Sequence, residues 1–530
     1  MWIILLFVIL LIYILTCKLL AMRDMFRLMW TMPGLSIFSL IKNVRLVGVS
    51  NESILKFVQN IAEPYTTPFQ CWVAGTMYVI VKEPEDLKIV LNSQNCLNRG
   101  DVYEFVKSVF GNSLGTLPSE IKLFFCENLL KLIYLVISFL FNSGDKWRIH
   151  RKLINPTFNS TIIQTFLPIF NKEIKVLVSQ FENLCNEGNQ ENPMDIYPYM
   201  NALTLDTILQ TTMGKEMNIQ MKENQKFSQI TNKVTAVIAK RMFNPLLYWT
   251  PIYRLTKLYK IEKECTDEIT DTISKVLDEK KAAFVSSALG IDNNNNDIYP
   301  QKTSQVFIDQ IMKLLMVDKK INEEDVVGAT SSIVAGGFET IALTSSYCIL
   351  MLAMHPEHQQ RIYEEIISVG SRKVDEISFD DLNNYDFLDR FIKEVLRLFS
   401  PLPFIVRTAT EAFNLGKYSI PSGTNIVCPI YLIHRNKEIW GPNPEDFNPD
   451  HFLPENFAKI HPYAYIPFSI GPRNCIGMKY AMTFLKTNLI HLVSNFKFRT
   501  NLKMSDLRCQ FTITLNLANK HMVYIEKRDV

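Results

Sequence analysis

The stretch Pro467–Gly477, PFSIGPRNCIG, sets one cysteine between glycines and two residues after an arginine. A thiol works as ligand or nucleophile in its thiolate form, so a functional cysteine needs neighbours that stabilise negative charge. Arg473 supplies positive charge. Gly471 and Gly477 permit tight turns and a close approach of backbone to a flat object, and the N–H groups such a loop exposes can donate to sulfur. The run MKYAMTFLKTNLIHLV from Met478 has helical spacing, so Cys475 falls just ahead of a helix N-terminus, where the dipole favours an anion. Every local influence readable in the sequence favours Cys475 as thiolate.

Three chemistries could use it. A nucleophilic enzyme needs a base, and the stretch carries no histidine. A structural zinc site needs a second Cys or His at ligand spacing, and none is near. A single thiolate on a glycine-flanked loop suits the axial ligand of a haem iron, which pushes electron density toward O–O cleavage. Across Phe468-x-x-Gly471-x-Arg473-x-Cys475-x-Gly477 the stretch resembles the haem-binding loop of the cytochrome P-450 family, the haem-thiolate monooxygenases. The resemblance implies a mainly α fold with small β-sheets and haem b ligated through Cys475. It also implies electrons from NADPH through a flavoprotein reductase.

The elements that would position this loop are legible in turn. In KEVLRLFSP, Glu394 and Arg397 lie three apart on a helical pattern that stops at Ser400-Pro401, so they share one face. In isolation this is a surface ion pair worth little. It resembles the family's structural Glu-x-x-Arg, whose third member is usually an arginine. Here Pro449-Asp450-His451-Phe452 offers His451 instead, which would make the lock's hydrogen bonding pH-dependent.

In NEEDVVGATSSIVAGGFETIALTSSYCILMLAMHP, Asn322 followed by three acidic residues predicts a helix start, and no proline intervenes before Pro356. The span is about 48 Å at 1.5 Å per residue. Gly336-Gly337 costs about 1 kcal/mol per glycine relative to alanine there. Gly336-Gly337-Phe338-Glu339-Thr340 resembles the family's oxygen-handling motif, which implies a distorted turn over the haem, Thr340 holding dioxygen and Glu339 relaying protons. The bare alternative is a glycine kink in a packed helix. The insect and vertebrate fatty-acid hydroxylase branch, resembled most through PFSIGPRNCIG and FLPEN, often has glutamate at the position of Gly336, able to form an ester with haem. That carboxylate is absent, so non-covalent haem is expected.

Trp147 and Arg151 in GDKWRIHRKL resemble the helix that grips a haem propionate, and Arg407 resembles a second propionate ligand. Bidentate pairing of guanidinium with carboxylate is the physical reason. Val334, Ala335, Phe404, Ile405, Val406, Phe511, Thr512 and Ile513 match regions that line the family's pocket. Nearly all are apolar, which implies a lipophilic substrate.

The remainder of the chain frames these motifs. Lys+Arg 56 against Asp+Glu 53 leaves a formal net charge of +3, too little to favour nucleic acid as partner. Ten scattered cysteines without a CxxC pair suit a reducing compartment. Trp2 to Cys17 is uncharged and apolar, matching a membrane anchor of roughly 20 residues, and the basic residues Lys18, Arg23 and Arg27 follow it. The expected organisation is an anchor with linker over 1–31 in the endoplasmic reticulum membrane and one cytosolic catalytic domain over 32–530. Alternation predicts strands around Gly75, along Phe511–Leu517 and along Met522–Glu526, and a polar loop from Phe284 through the Asn run. The apolar segment Glu120–Asn142 interrupts what reads as a loop; it is either a real insertion or translated intron sequence, and sequencing the transcript across Leu114 to Trp147 decides. Two other functions remain open on the sequence, a reductase-independent haem-thiolate isomerase or dehydratase and a haem-binding protein without turnover.

Overall fold

The computed structural model describes residues 16, 23–35, 51–65, 68–73, 76–100, 146–188, 191–242, 244–288, 306–370 and 377–528. The expected anchor, apart from Thr16 and residues 23–31, and the segment Glu120–Asn142 lie outside the described residues.

Helices of nine or more residues are, in chain order, α1 (23–31), α2 (Asn51–Ala62), α3 (Pro84–Asn92), α4 (Lys146–Ile154), α5 (Ser160–Asn186), α6 (Tyr197–Met213) and α7 (Gln225–Met242). They continue as α8 (Lys257–Ala288), α9 (Phe307–Met316), α10 (Glu323–Met354), α11 (Pro356–Val369), α12 (Asp386–Leu398) and α13 (Met478–Asn495). One sheet joins β1 (Gly34–Leu35), β2 (Phe69–Val73), β3 (Thr76–Ile80), β4 (Asn98–Arg99), β6 (Ile405–Thr408) and β9 (Asn425–Cys428) in the order β1-β2-β3-β9-β6-β4. Smaller sheets use β5 (Met194–Asp195), β7 (Phe413–Leu415), β8 (Tyr418–Ile420), β10 (Phe496–Arg499), β11 (Cys509–Phe511), β12 (Leu515–Leu517) and β13 (Met522–Lys527). The fold is thus mainly helical with small sheets.

The centre of the main core is α10. Its start is fixed by a capping box: Asn322 Oδ1 accepts from the Asp325 N–H at 2.8 Å, and Asp325 Oδ2 accepts from the Asn322 N–H at 3.3 Å. The helix runs 32 residues, and Leu343, Tyr347, Cys348, Ile349, Leu350, Met351 and Leu352 are fully buried. Each large apolar side chain so buried contributes about 1.5–3 kcal/mol. Among the described residues α10 is the one helix long and apolar enough to cross a membrane, yet most of its apolar window is buried in the protein, as a core helix requires. On the other side of the core, α13 lays Tyr480 and Phe484 edge-on against Phe170 of α5, at ring separations of 5.0 and 5.3 Å. A second core under the six-stranded sheet includes Val79, Val81, Leu87, Ile420 and Ile426.

Three local expectations change. The run Phe511–Leu517 folds back on itself as the hairpin β11–β12, because Thr512–Thr514 leave the strand period to turn. Phe284–Ala288 belongs to the end of α8, since its residues continue the helical spacing before the Asn run. Finally, α10 runs unbroken through Gly336 and Gly337 in place of a distorted turn.

Candidate active site

The Cys475 loop is shaped by backbone geometry. Gly471 sits at φ +81°, and a Cβ there would lie 2.4 Å from the Leu91 carbonyl oxygen at the end of α3, so only glycine fits. The Cys475 N–H donates to the Phe468 carbonyl at 2.8 Å, closing the loop, and Gly477 caps α13 directly behind it. A Cβ on Gly477 would stand 3.9 Å from the Cys475 sulfur, an ordinary contact, so this position does not demand glycine as Gly471 does.

The predicted partners converge on this loop. Arg473 is buried, donates from Nε to the Leu97 carbonyl at 2.9 Å and stacks its guanidinium 3.7 Å above the Trp147 ring. Trp147 thereby holds Arg473 in place. Arg151 Nη2 donates to Asn474 Oδ1 at 2.8 Å, tying α4 to the residue beside the cysteine. Arg407 is buried and its backbone pairs directly opposite Arg99, a residue the sequence reading missed. Arg99 lies in a short LNRG stretch with no motif around it, so nothing in sequence singled it out.

Charge at the sulfur reflects a contest. Burial pushes the Cys475 thiol above its ordinary range, while the Gly477 N–H and the cations Arg151 and Arg99 pull it back. The expectation that every local influence favours thiolate is therefore corrected: burial opposes it, and a bound metal cation would tip the balance. The Cys475 side chain nonetheless keeps access to solvent.

The middle of α10 presents a second open surface. Gly336 is exposed within the long core helix, and a Cβ on it would meet no atom within 4 Å. Gly337 does the opposite: a Cβ would press to 2.8 Å from Ile208 Cδ1, so this glycine serves the close packing of α6 on α10. Thr340 donates its hydroxyl to the Gly336 carbonyl at 2.8 Å. Glu339 accepts from the Thr514 hydroxyl at 2.9 Å, and burial raises its pKa more than that hydrogen bond lowers it. Thr514 too escaped the sequence reading, because the contact spans 175 residues.

Of the predicted lining residues, Ala335, Phe404, Phe511, Thr512 and Ile513 are part-exposed, whereas Val334, Ile405 and Val406 are buried. Phe404 and Phe511 meet edge to face at 5.1 Å, joining the segment before β6 to the hairpin.

Behind the loop, Glu394 and Arg397 are completely buried and bidentate, at 2.8 and 2.7 Å. Arg397 also donates to the carbonyls of His434, Pro444 and Asp446. His451 places Nδ1 3.2 Å and 3.3 Å from the two Glu394 oxygens, taking the third place in the network. The pair is therefore a fully desolvated lock, not the exposed pair that its spacing alone would describe.

These residues fit a flat, thiolate-ligated iron cofactor with carboxylate arms. The donor set offers one accessible sulfur flanked by an N–H, with the Arg151 and Arg99 cations acting on it, Arg473 two residues before it in the loop, and Arg407 on the strand paired with Arg99.

Comparison with known proteins agrees. The family model described as Cytochrome P-450 matches residues 103–523. Cytochrome P-450 4c21 of Blattella germanica is 32% identical over 481 residues, covering 90% of this chain and 89% of the relative. Probable cytochrome P-450 313b1 of Drosophila melanogaster is 28% identical over 513 residues, covering 96% of each. Cytochrome P-450 4g1 of the same species is 28% identical over 508 residues, covering 91% of this chain and 86% of the relative.

Proposed function

This chain belongs to the cytochrome P-450 family and is a haem-dependent monooxygenase, and from that premise we propose that it inserts one atom of dioxygen into a lipophilic substrate, a fatty acid, hormone-like lipid or xenobiotic. Its electrons come from NADPH through a flavoprotein reductase. The observation that carries this reading is the accessible Cys475 thiol set between the Gly477 N–H and the Arg151 and Arg99 cations.

Haem, when bound, supplies a thiolate-ligated iron that activates dioxygen. Cys475 would hold the iron, and Phe468, Gly471 and Gly477 shape the loop around the sulfur. Arg151, Arg407, Arg473 and Arg99 would pair with the two propionates, with Trp147 fixing the plane of Arg473. Gly336 offers no carboxylate for an ester, so the haem is non-covalent. On α10, Glu339 keeps its proton to higher pH than an ordinary carboxyl because burial disfavours the anion, which suits it to deliver protons. The Thr340 hydroxyl, now spent on the Gly336 carbonyl, is the group that would turn toward dioxygen. Phe404, Phe511 and Ile513 offer a substrate an apolar surface, and Val334, Ile405 and Val406 back it from within.

Exposed apolar surface supports attachment to the endoplasmic reticulum membrane. Phe26 and Trp30 of α1 are exposed next to the apolar N-terminal segment, and Leu246, Trp249, Ile252 and Leu255 form a second exposed set between α7 and α8. Lys479, exposed at the start of α13, is a candidate docking charge for an acidic reductase. We assign 1–31 to the anchor and linker and 32–530 to one catalytic domain.

The reading is tested by adding carbon monoxide to the dithionite-reduced protein and then assaying turnover with NADPH and reductase. A strongly red-shifted Soret band, lost in Cys475→Ser, with product that requires both NADPH and reductase, is the expected result. A band typical of histidine ligation would overturn the assignment of Cys475. Rearrangement of peroxides without reductase would favour an isomerase or dehydratase, and haem without any turnover a binding protein.

A further inference from the structure

The corner between α10 and α11 carries a second set of donors that the monooxygenase reading does not use. His355, Glu357 and His358 each offer one ligand atom, and these atoms all lie within 4.8 Å of one another. His355 Nδ1 lies 3.2 Å from Glu357 Oε1, and His358 Nε2 lies 3.9 Å from the same oxygen. Donors around a tetrahedral zinc with bonds of about 2.0–2.1 Å sit about 3.3 Å apart, so small side-chain rotations bring the three into register.

We propose that His355, Glu357 and His358 form a surface site for one divalent transition-metal ion, Zn2+ or Cu2+, with water completing the coordination. Two imidazoles and a carboxylate suit those borderline ions better than calcium or magnesium, which prefer all-oxygen shells.

The surroundings preorganise the donors. The His355 ring stacks on Phe447 at 5.1 Å, and the His358 ring packs against Phe387 at 5.7 Å and Phe447 at 5.8 Å, which limits the freedom of both side chains. Both histidine side chains are mostly covered, 23% and 21% exposed, while Glu357 at 64% leaves the site open to solvent on one side. His355 ends α10, whose terminal carbonyls carry partial negative charge and offset the opposite dipole at the start of α11. Of the charges facing the His358 ring, Glu357 and Asp450 favour a bound cation and Arg361 opposes it.

The ion would staple the end of the helix that carries Thr340 to α11, beside the Phe387 ring of α12. Occupancy therefore raises the unfolding temperature without touching the haem environment.

The test uses full-length, haem-loaded protein without a histidine tag, dialysed against Zn2+ or Cu2+ and analysed for metal beyond the haem iron. One equivalent per chain is expected, with a higher unfolding temperature and an unchanged Soret band. Glu357→Gln, a change at an exposed position that leaves the fold intact, and His358→Ala should each lower affinity at least about tenfold. The Cu2+ resonance spectrum should report two nitrogen ligands, falling to one in His358→Ala. Metal that stays bound in both variants lies elsewhere and overturns the proposal, as does wild-type protein that retains no equivalent.

Discussion

The Thr514 hydroxyl donates a 2.9 Å hydrogen bond to Glu339 Oε1, so the hairpin that carries Phe511, Thr512 and Ile513 also holds the acid next to Thr340. In the proposed roles, substrate lining and proton handling would share this one hydrogen bond.

Removing that link has a definite sign. Burial raises the Glu339 pKa and the Thr514 hydroxyl lowers it, so Thr514→Val raises it further, while Thr514→Ser leaves it in place. Turnover measured across pH should show the limb that reports Glu339 deprotonation moving to higher pH in the valine variant alone, and vanishing in Glu339→Gln. The lost hydrogen bond costs about 1 kcal/mol of stability. For the protein as a whole, a raised carboxyl pKa contributes stability below the ordinary carboxylate range, and that stability is lost as pH rises through the folded value.

The Glu394–Arg397 lock should respond unequally to its three members. Both members of the pair are fully buried, so Arg397→Ala or Glu394→Ala strands a desolvated charge and costs about 3–5 kcal/mol. His451 is 21% exposed on its side chain and touches one partner of the pair, so His451→Ala costs about 1 kcal/mol. Haem retained per chain and the unfolding midpoint are the measurements; equal losses from all three variants would contradict the ranking.

Acid should weaken the protein through two buried imidazoles. Burial drives both His434 and His521 down to about 3. His434 donates from Nδ1 to the Arg397 carbonyl at 3.1 Å and accepts from the Ile466 N–H at 2.9 Å, a pattern that only the neutral ring can make. A depressed histidine pKa means that the unfolded chain binds the proton first, so this stability is complete above about pH 6.5 and is lost as pH falls toward 3. At pH 5 the loss is about 2 kcal/mol per ring at 1.36 kcal/mol per unit. Urea unfolding at pH 7 and pH 5 checks it, and His521→Phe should remove about half of the difference.

What could be read in sequence was what local spacing encodes. Cys475 with Arg473 and the two glycines, Glu394 with Arg397, and Asn322 with Asp325 all lie within one loop or one helical turn, and the structure keeps each group together. The contacts that escaped are long-range: Arg99 beside Cys475, Thr514 on Glu339, and the Leu91 carbonyl against Gly471. No period or motif links such positions, because tertiary packing alone brings them together. The Phe511–Leu517 run misled for a related reason, since alternation does not mark where a chain turns back.

The two adjacent glycines of α10 give the last test, because they look alike in sequence and differ in space. Gly336→Ala meets no atom within 4 Å and gains helix propensity, so it should stabilise by about 1 kcal/mol. Gly337→Ala presses its Cβ to 2.8 Å from Ile208 Cδ1 and 3.0 Å from Cγ1, and overpacking of about 1–3 kcal/mol offsets the same gain. Adding Ile208→Val removes the offending methyl, so a double-mutant cycle should return a favourable coupling for the second glycine and none for the first. Unfolding midpoints of the three single and two double variants measure this. Because Gly336 faces open space, Gly336→Glu should also be accommodated, and it returns the carboxylate that the resembled hydroxylase branch often carries. Acid-acetone extraction should release haem from the wild-type protein and leave it attached in that variant. Haem retained by the wild type would show that some other side chain forms the bond, and release from both would mean that the open face of Gly336 does not point at the haem edge.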